Sequence, residues 1–79
     1  MCWVYVLRSE KDGRRYIGTA HDVMERLDRH NGGRVPVTRA RRPFRLVHSE
    51  HFGSWSEARS REDFLKSGQG RKWLDEQGI

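Results

Sequence analysis

The sequence predicts a small α/β (α+β) fold: a three-stranded, antiparallel-type sheet flanked by helices, in the order β-β-α-β-α-α. Two β-prone triplets, Trp3-Val4-Tyr5 and Tyr16-Ile17-Gly18, stand on either side of a short turn. Val23 and Leu27 then recur at helical spacing. Ser54-Trp55-Ser56-Glu57 carries the serine and glutamate of a capping box. With 79 residues, the chain is expected to form one domain spanning 1–79. A chain of this length buries roughly 60–65% of its unfolded surface, so the core must be small.

Each element has its own signal. Trp3 to Arg8 is rich in strand formers and lacks a breaker. Ser9 to Gly13 is turn chemistry, because Asp12-Gly13 supplies the positive φ of a tight turn. Arg15 to Thr19 returns as the second strand, which allows Tyr5 and Tyr16 to share a face in the right register. A helix is expected over Ala20–Asn31, with Asp22 in its first turn, Val23, Met24 and Leu27 as its core stripe, and Asn31-Gly32-Gly33 as its end. Pro36 and Pro43 keep residues 32–43 out of helix and central strand. Phe44 to Glu50 alternates as a third strand, with Phe44, Leu46 and His48 on one side and Arg45, Val47 and Ser49 on the other. A second long helix runs from the capping box to about Ser67, where Gly68 stops it. A last short helix covers Arg71 to Gln77, anchored by Trp73 and Leu74.

Composition narrows the function. Only 34% of residues are hydrophobic, and the mean hydropathy is −0.97. No apolar run nears the ~20 residues that span a bilayer, so no membrane role is expected. The N-terminus lacks the basic and apolar regions of a signal peptide. The lone Cys2 has no disulfide partner, and together these features predict a cytoplasmic protein. The net charge is +5, carried by 13 Arg and 3 Lys. Arg34, Arg39, Arg41, Arg42 and Arg45 crowd one segment with no acid between them. Such a cluster repels itself unless a polyanion neutralises it, and guanidinium forks suit phosphate. Arg-rich usage also arises from a GC-rich genome; the clustering favours a nucleic-acid surface.

Certain residues could carry chemistry. Glu62 follows Ala58 by four and precedes Leu65 by three, which puts a carboxylate on the apolar side of the second long helix with Trp55, Ala58, Phe64 and Leu65. A carboxylate there needs a partner or a metal; the alternative is an i,i+4 pair with Lys66. Arg26 and His30 lie one turn apart, suited to a phosphate and a proton; the alternative is an Asp22–Arg26 surface pair with a passive histidine. The two tyrosines are either strand fillers or phenols made basic by a nearby cation.

In order and spacing these residues resemble the GIY-YIG nuclease family. The matching pieces are Val4-Tyr5-Val6-Leu7-Arg8, Tyr16-Ile17-Gly18-Thr19, Asp22 with Glu25-Arg26-Leu27, His30-Asn31, Thr38 through Pro43, and Ser56-Glu57-Ala58 leading to Arg61-Glu62 and Leu65-Lys66. They span nearly the whole chain and look like the small stand-alone bacterial members, which are similar to the nuclease domain of certain structure-specific endonucleases. The chain departs in its first triplet, Trp-Val-Tyr in place of Gly-Ile-Tyr, and in having no asparagine after Asn31, where many members carry one late in the domain.

The resemblance implies a metal-dependent endonuclease that hydrolyses DNA phosphodiester bonds, on branched or damaged DNA in repair or recombination. One of Tyr5 and Tyr16 would take a proton from the attacking water. Arg26 would hold the scissile phosphate, His30 would assist proton transfer or contact the phosphate, and Glu62 would bind a single divalent ion, Mg or Mn. Gly18 would keep the backbone close and unobstructed beside the site. DNA is the expected partner, with a targeting protein or a homodimer supplying what one small domain lacks. The alternative is a non-catalytic module of the same fold that binds nucleic acid or protein.

Overall fold

The computed structural model describes all 79 residues. Its elements are β1 (Cys2–Ser9), β2 (Arg15–Ala20), α1 (Val23–Asn31), β3 (Phe44–Phe52), α2 (Trp55–Lys66) and α3 (Gly68–Glu76), with a 3₁₀ turn at Arg39–Arg41. The order is the expected β-β-α-β-α-α. The sheet runs β2-β1-β3 with both pairings antiparallel, so β1 is central.

Val4, Tyr5, Val6 and Leu7 form an unbroken apolar run because β1 is covered on both faces. One face packs Cys2, Val4, Val6 and Ile17 against Ala58, Leu65 and Leu74 of α2 and α3. The other packs Tyr5, Leu7, Ala20 and Phe44 against Val23 and Leu27 of α1, with Tyr16 and Leu46 alongside. The β1–β2 turn forms as its sequence dictates: Gly13 has φ +73°, and its N–H donates to Ser9 O at 2.9 Å. Ser9 is buried; its hydroxyl accepts from the Lys11 and Asp12 N–H groups and donates to Arg41 O at 2.6 Å. The hairpin is thereby tied to the 3₁₀ turn.

The structure corrects several expectations. β2 continues through Ala20, and α1 begins only at Val23; Asp22 lies outside it as N-cap, accepting from Glu25 N at 3.0 Å. Met24 is 58% exposed, and the third position of the buried stripe belongs to His30. In β3, Val6 pairs with His48 but Leu7 pairs with Leu46, a bulge at Val47. The extra residue reverses the alternation beyond it. His48 faces α3, with its ring 5.9 Å from that of Trp73, and Ser49 joins Trp3 and Leu46 on the α1 side. Trp55 is 38% exposed and stacks edge-on with His21 at 4.6 Å, outside the α2 core stripe.

Gly68 does not end a helix; it begins α3. Ser67 serves both helices, donating to Phe64 O at 2.5 Å and accepting from Gly70 N at 3.1 Å. A second tie, Glu50, joins β3 to α2: it accepts from Arg61 Nε at 2.8 Å and Nη2 at 3.2 Å, with His48 Nε2 at 2.7 Å. Burial pushes the Glu50 carboxyl up, but these bonds outweigh it and hold it below the usual range. The Arg61 guanidinium also lies over Trp73, 4.7 Å from the ring centre.

Gly70 is where α3 meets α2. A Cβ there would lie 1.9 Å from Phe64 O and 2.5 Å from Leu65 Cα, both backbone atoms that cannot turn aside. Gly70→Ala is expected to destabilise the fold by about 2 kcal/mol or more. Gly68→Ala, with nothing within 4 Å, should be neutral or slightly stabilising. Urea unfolding of the two variants checks the contrast.

Candidate active site

The site forms at the free edge of β2, where α1 on one face and α2 on the other both reach the strand. Register places Tyr5 opposite Gly18. The Tyr5 phenol crosses the bare Gly18 backbone toward that edge; a Cβ on Gly18 would come within 2.6 Å of the hydroxyl oxygen. Gly18 is buried, so the open space it leaves is used by Tyr5 itself.

Behind the phenol stands His30, 1% exposed in the last turn of α1. Its Nε2 lies 3.1 Å from Tyr5 Oη, and its Nδ1 lies 2.8 Å from Thr38 Oγ1. Thr38, itself fully buried, donates its hydroxyl proton to Val35 O at 3.3 Å. That leaves the Thr38 oxygen to accept from Nδ1–H, which turns the Nε2 lone pair toward the Tyr5 O–H. Burial pushes the His30 imidazole down, and the Arg26 guanidinium adds to the effect. Burial pushes the Tyr5 phenol up to about 12, with Tyr16 adding to the rise, Arg26 opposing it and Glu62 making a further, smaller contribution to it. Both members of the pair are therefore neutral near pH 7. Tyr16 is half-buried, with its ring 4.7 Å from that of His30 and 6.3 Å from that of Tyr5.

Arg26 carries the one buried side-chain polar atom that lacks a partner. Its Nη1 gives one long bond, 3.4 Å, to Thr19 O, and its Nε is buried without a partner. The expected alternative, a pair with Asp22, is absent, because Asp22 caps the helix. Glu62 comes from α2, with its side chain 19% exposed. It pairs with Lys66 Nζ at 2.5 Å, so the i,i+4 pair and the position at the site coexist. No three His, Cys, Asp or Glu side chains converge anywhere in the fold.

The structure thus brings Tyr5, Tyr16, Gly18, Arg26 and His30 together; Glu62, on the other face, is tied directly only to Lys66 and reaches the Tyr5 phenol through its charge. The structure distributes the arginine segment differently. Arg41 pairs with Asp12 at 3.0 Å, donates to Arg15 O at 3.2 Å and covers the Phe44 ring at 5.4 Å. The acid missing from that segment comes from the β1–β2 turn. Arg39 and Arg42 each spend Nε–H on a carbonyl, of Gly33 and Arg39 respectively, both at 2.9 Å. Both remain exposed, as do Arg34 and Arg45.

Two residues of the site's frame carried no assigned role in the sequence. Thr38 orients His30. Asn31 pins the start of β3 to the end of α1, donating to Phe44 O at 3.0 Å and accepting from Phe44 N at 2.7 Å. Their signal was membership of two stretches that resemble the family, His30-Asn31 and Thr38 through Pro43.

The geometry at Gly18 is directly testable. Gly18→Ala should displace the Tyr5 hydroxyl from His30 Nε2, and the His30 ring resonances in NMR should shift accordingly. Unchanged resonances would show that the Tyr5 ring absorbs the methyl group.

A GIY-YIG catalytic domain description matches residues 1–74. The chain is 38% identical over 73 residues to the UPF0213 protein SSP2268 of Staphylococcus saprophyticus, a match covering 91% of this chain and 88% of that protein. It is 43% identical over 65 residues to a UPF0213 protein of Streptococcus pneumoniae serotype 4, covering 81% of this chain and 65% of that one. The solution NMR structure of the UPF0213 protein BH0048 from Bacillus halodurans superposes with a TM-score of 0.58 at 36% identity, covering 98% of this chain and 85% of that chain. Sequence match, relatives and fold agree: the chain belongs to the GIY-YIG catalytic-domain family.

Proposed function

We propose that the protein is a divalent-metal-dependent endonuclease that hydrolyses DNA phosphodiester bonds. The observation that carries this reading is Arg26: a cation at the site with a buried, unpartnered Nε and no carboxylate against it. Such a group is poised to take an anion, and a phosphate oxygen fits. Branched or damaged DNA is the substrate class in this reading, because a lone small domain offers few elements for reading bases. The exposed Arg34, Arg39, Arg42 and Arg45 serve as an outer backbone-contacting surface; Arg41 chiefly holds the turn in place. A targeting partner or a second copy completes recognition, and the setting is cytoplasmic.

The donor set fits a hard divalent ion. Glu62 is the carboxylate at the site, and the Lys66 ammonium against it shows that positive charge is stable there. Mg²⁺ or Mn²⁺ takes few protein oxygens and keeps waters and phosphate oxygens for the rest, whereas zinc demands the several His or Cys ligands this fold lacks. Glu62 would hold such an ion, which would supply charge stabilisation to the departing oxygen.

This chain's own residues do the remainder. Arg26 grips the phosphate as negative charge develops on it. Tyr16, the half-buried phenol, orients the attacking water. A phenol with a pKa near 12 is not a phenolate at neutral pH, so Tyr5 acts as a relay: it accepts the water's proton on oxygen while passing its own to His30 Nε2. A bound phosphate also cancels part of the Arg26 charge that depresses His30, making the imidazole a better acceptor when substrate is present.

Cleavage of labelled single-stranded, duplex, flap and junction DNA tests the reading. Metal-dependent cutting is expected, with Arg26→Ala lowering kcat by about 10²–10³. Mn²⁺ or Mg²⁺ at 100 times its Kd should stabilise the wild type by about 2.7 kcal/mol, and Glu62→Ala should abolish the shift. Salt-sensitive binding without cutting would instead establish the non-catalytic module.

The pH dependence follows from His30. Its neutral form accepts the proton, and its folded pKa lies below the ordinary 6.5. The rate should therefore hold as pH drops to that value and fall only below it, as the imidazole protonates. Tyr5 should add no alkaline break until about 12. In an NMR titration of the ring, Arg26→Gln should move the His30 pKa upward; no movement would remove Arg26 from the electrostatics of the site.

A further inference from the structure

Beside Tyr16, on the α2–α3 side of β2, lies a cleft of about 260 Å³ lined by Arg15, Tyr16, Ile17, Lys66 and Arg71. Three of the five residues are cationic, and none is acidic. Arg15 is the fixed wall: its Nε and Nη2 donate to Ile79 O at 3.0 and 2.6 Å, and Nη2 meets Asp75 Oδ1 at 2.5 Å. Lys66 uses one of its three N–H donors on Glu62 and leaves two. Arg71 is exposed and in no ion pair.

The cleft adjoins the active site through two of its walls. Tyr16 packs on His30, and Lys66 reaches from the cleft to Glu62. It also continues toward the 3₁₀ turn, because Arg41 Nη2 bonds the backbone of Arg15. Arg15 and Lys66 already face Asp75 and Glu62, so the cleft's uncompensated charge is Arg71, beside the two spare donors of Lys66.

We propose that this cleft is a second phosphate subsite, in which Arg71 and Lys66 hold a neighbouring phosphodiester of the strand being cut. The identity of the strand as DNA rests on the nuclease reading above; the capture of a phosphodiester rests on the cleft alone. The path of the nucleic acid then runs along the β2 edge and over the α2–α3 junction, on a surface distinct from the arginine segment.

The test is binding of a labelled DNA duplex with chelator present, so that no cutting is needed, read as the slope of log Kd against log salt. Each phosphate contact contributes about 0.9 to that slope. Arg71→Gln should reduce it by about 1, Arg71→Lys should restore it, and Lys66→Gln with Arg71→Gln should reduce it by about 2. Arg59→Gln removes an exposed arginine outside the cleft and should leave the slope near wild type. Thermal melting confirms that each variant is folded. An Arg71→Gln slope no different from that of Arg59→Gln overturns the subsite. Cleavage of the same duplex by wild type with Mn²⁺ separates the two readings. Cutting with an unchanged Arg71→Gln slope removes the subsite and keeps the nuclease; a reduced slope without cutting keeps the subsite and removes the nuclease.

Discussion

The burial of β1 on both faces is the constraint from which the rest follows. Val4 and Val6 face one way, Tyr5 and Leu7 the other, and all four are buried. A strand of that kind needs cover on both sides, so α1 must pack on one face and α2 with α3 on the other. Residues from the two layers can then approach one another only by reaching round an edge. β2 and β3 both end the sheet, and it is against β2 that Arg26 and His30 lie, on Thr19 O and the Tyr16 ring. The candidate site is a consequence of having covered the sheet twice.

Within that edge, a line of polar groups is sunk into an apolar layer. Val35 O, Thr38, His30 and Tyr5 form one hydrogen-bonded chain. Satisfied along its length, the chain is inexpensive to bury. Arg26, beside it, is not satisfied, and a buried donor without a partner costs roughly 1–3 kcal/mol. The fold concentrates its polar deficit at the residue best able to recover it from a ligand.

Much of this was legible from the residues. The hairpin could be read because Asp12-Gly13 carries its turn chemistry locally. The candidate site residues could be named only as a set, because it is their order and spacing together that resemble the family. What failed turns on partners that the local pattern does not reveal, some of them far away in the chain. The bulge at Val47 is set by pairing with Val6 and Leu7, so His48 was assigned to the wrong face. Gly68 reads locally as a helix stop, but Ser67 supplies a cap that lets α3 start at once, and Gly70 is needed only because Phe64 and Leu65 press on it. Arg41 seemed one more uncompensated charge until the hairpin delivered Asp12. At Asp22 the ambiguity was local: an acid suits either an N-cap or a first turn, and only backbone geometry distinguishes them.

The Ser67 junction has a further consequence. One hydroxyl closes α2 and opens α3 with no linker between them, and Gly70 lets the second helix sit directly on the first. Glu62 and Arg71 are therefore mounted on a single rigid elbow, like the jaws of a set caliper. If a metal ion on Glu62 and the Arg71 guanidinium each took a phosphate, the strand would have to present them at the interval the elbow sets. A backbone stretched or compacted away from that interval could engage one jaw at a time, so the protein would sort its ligands by the pitch of the sugar-phosphate chain without touching a base.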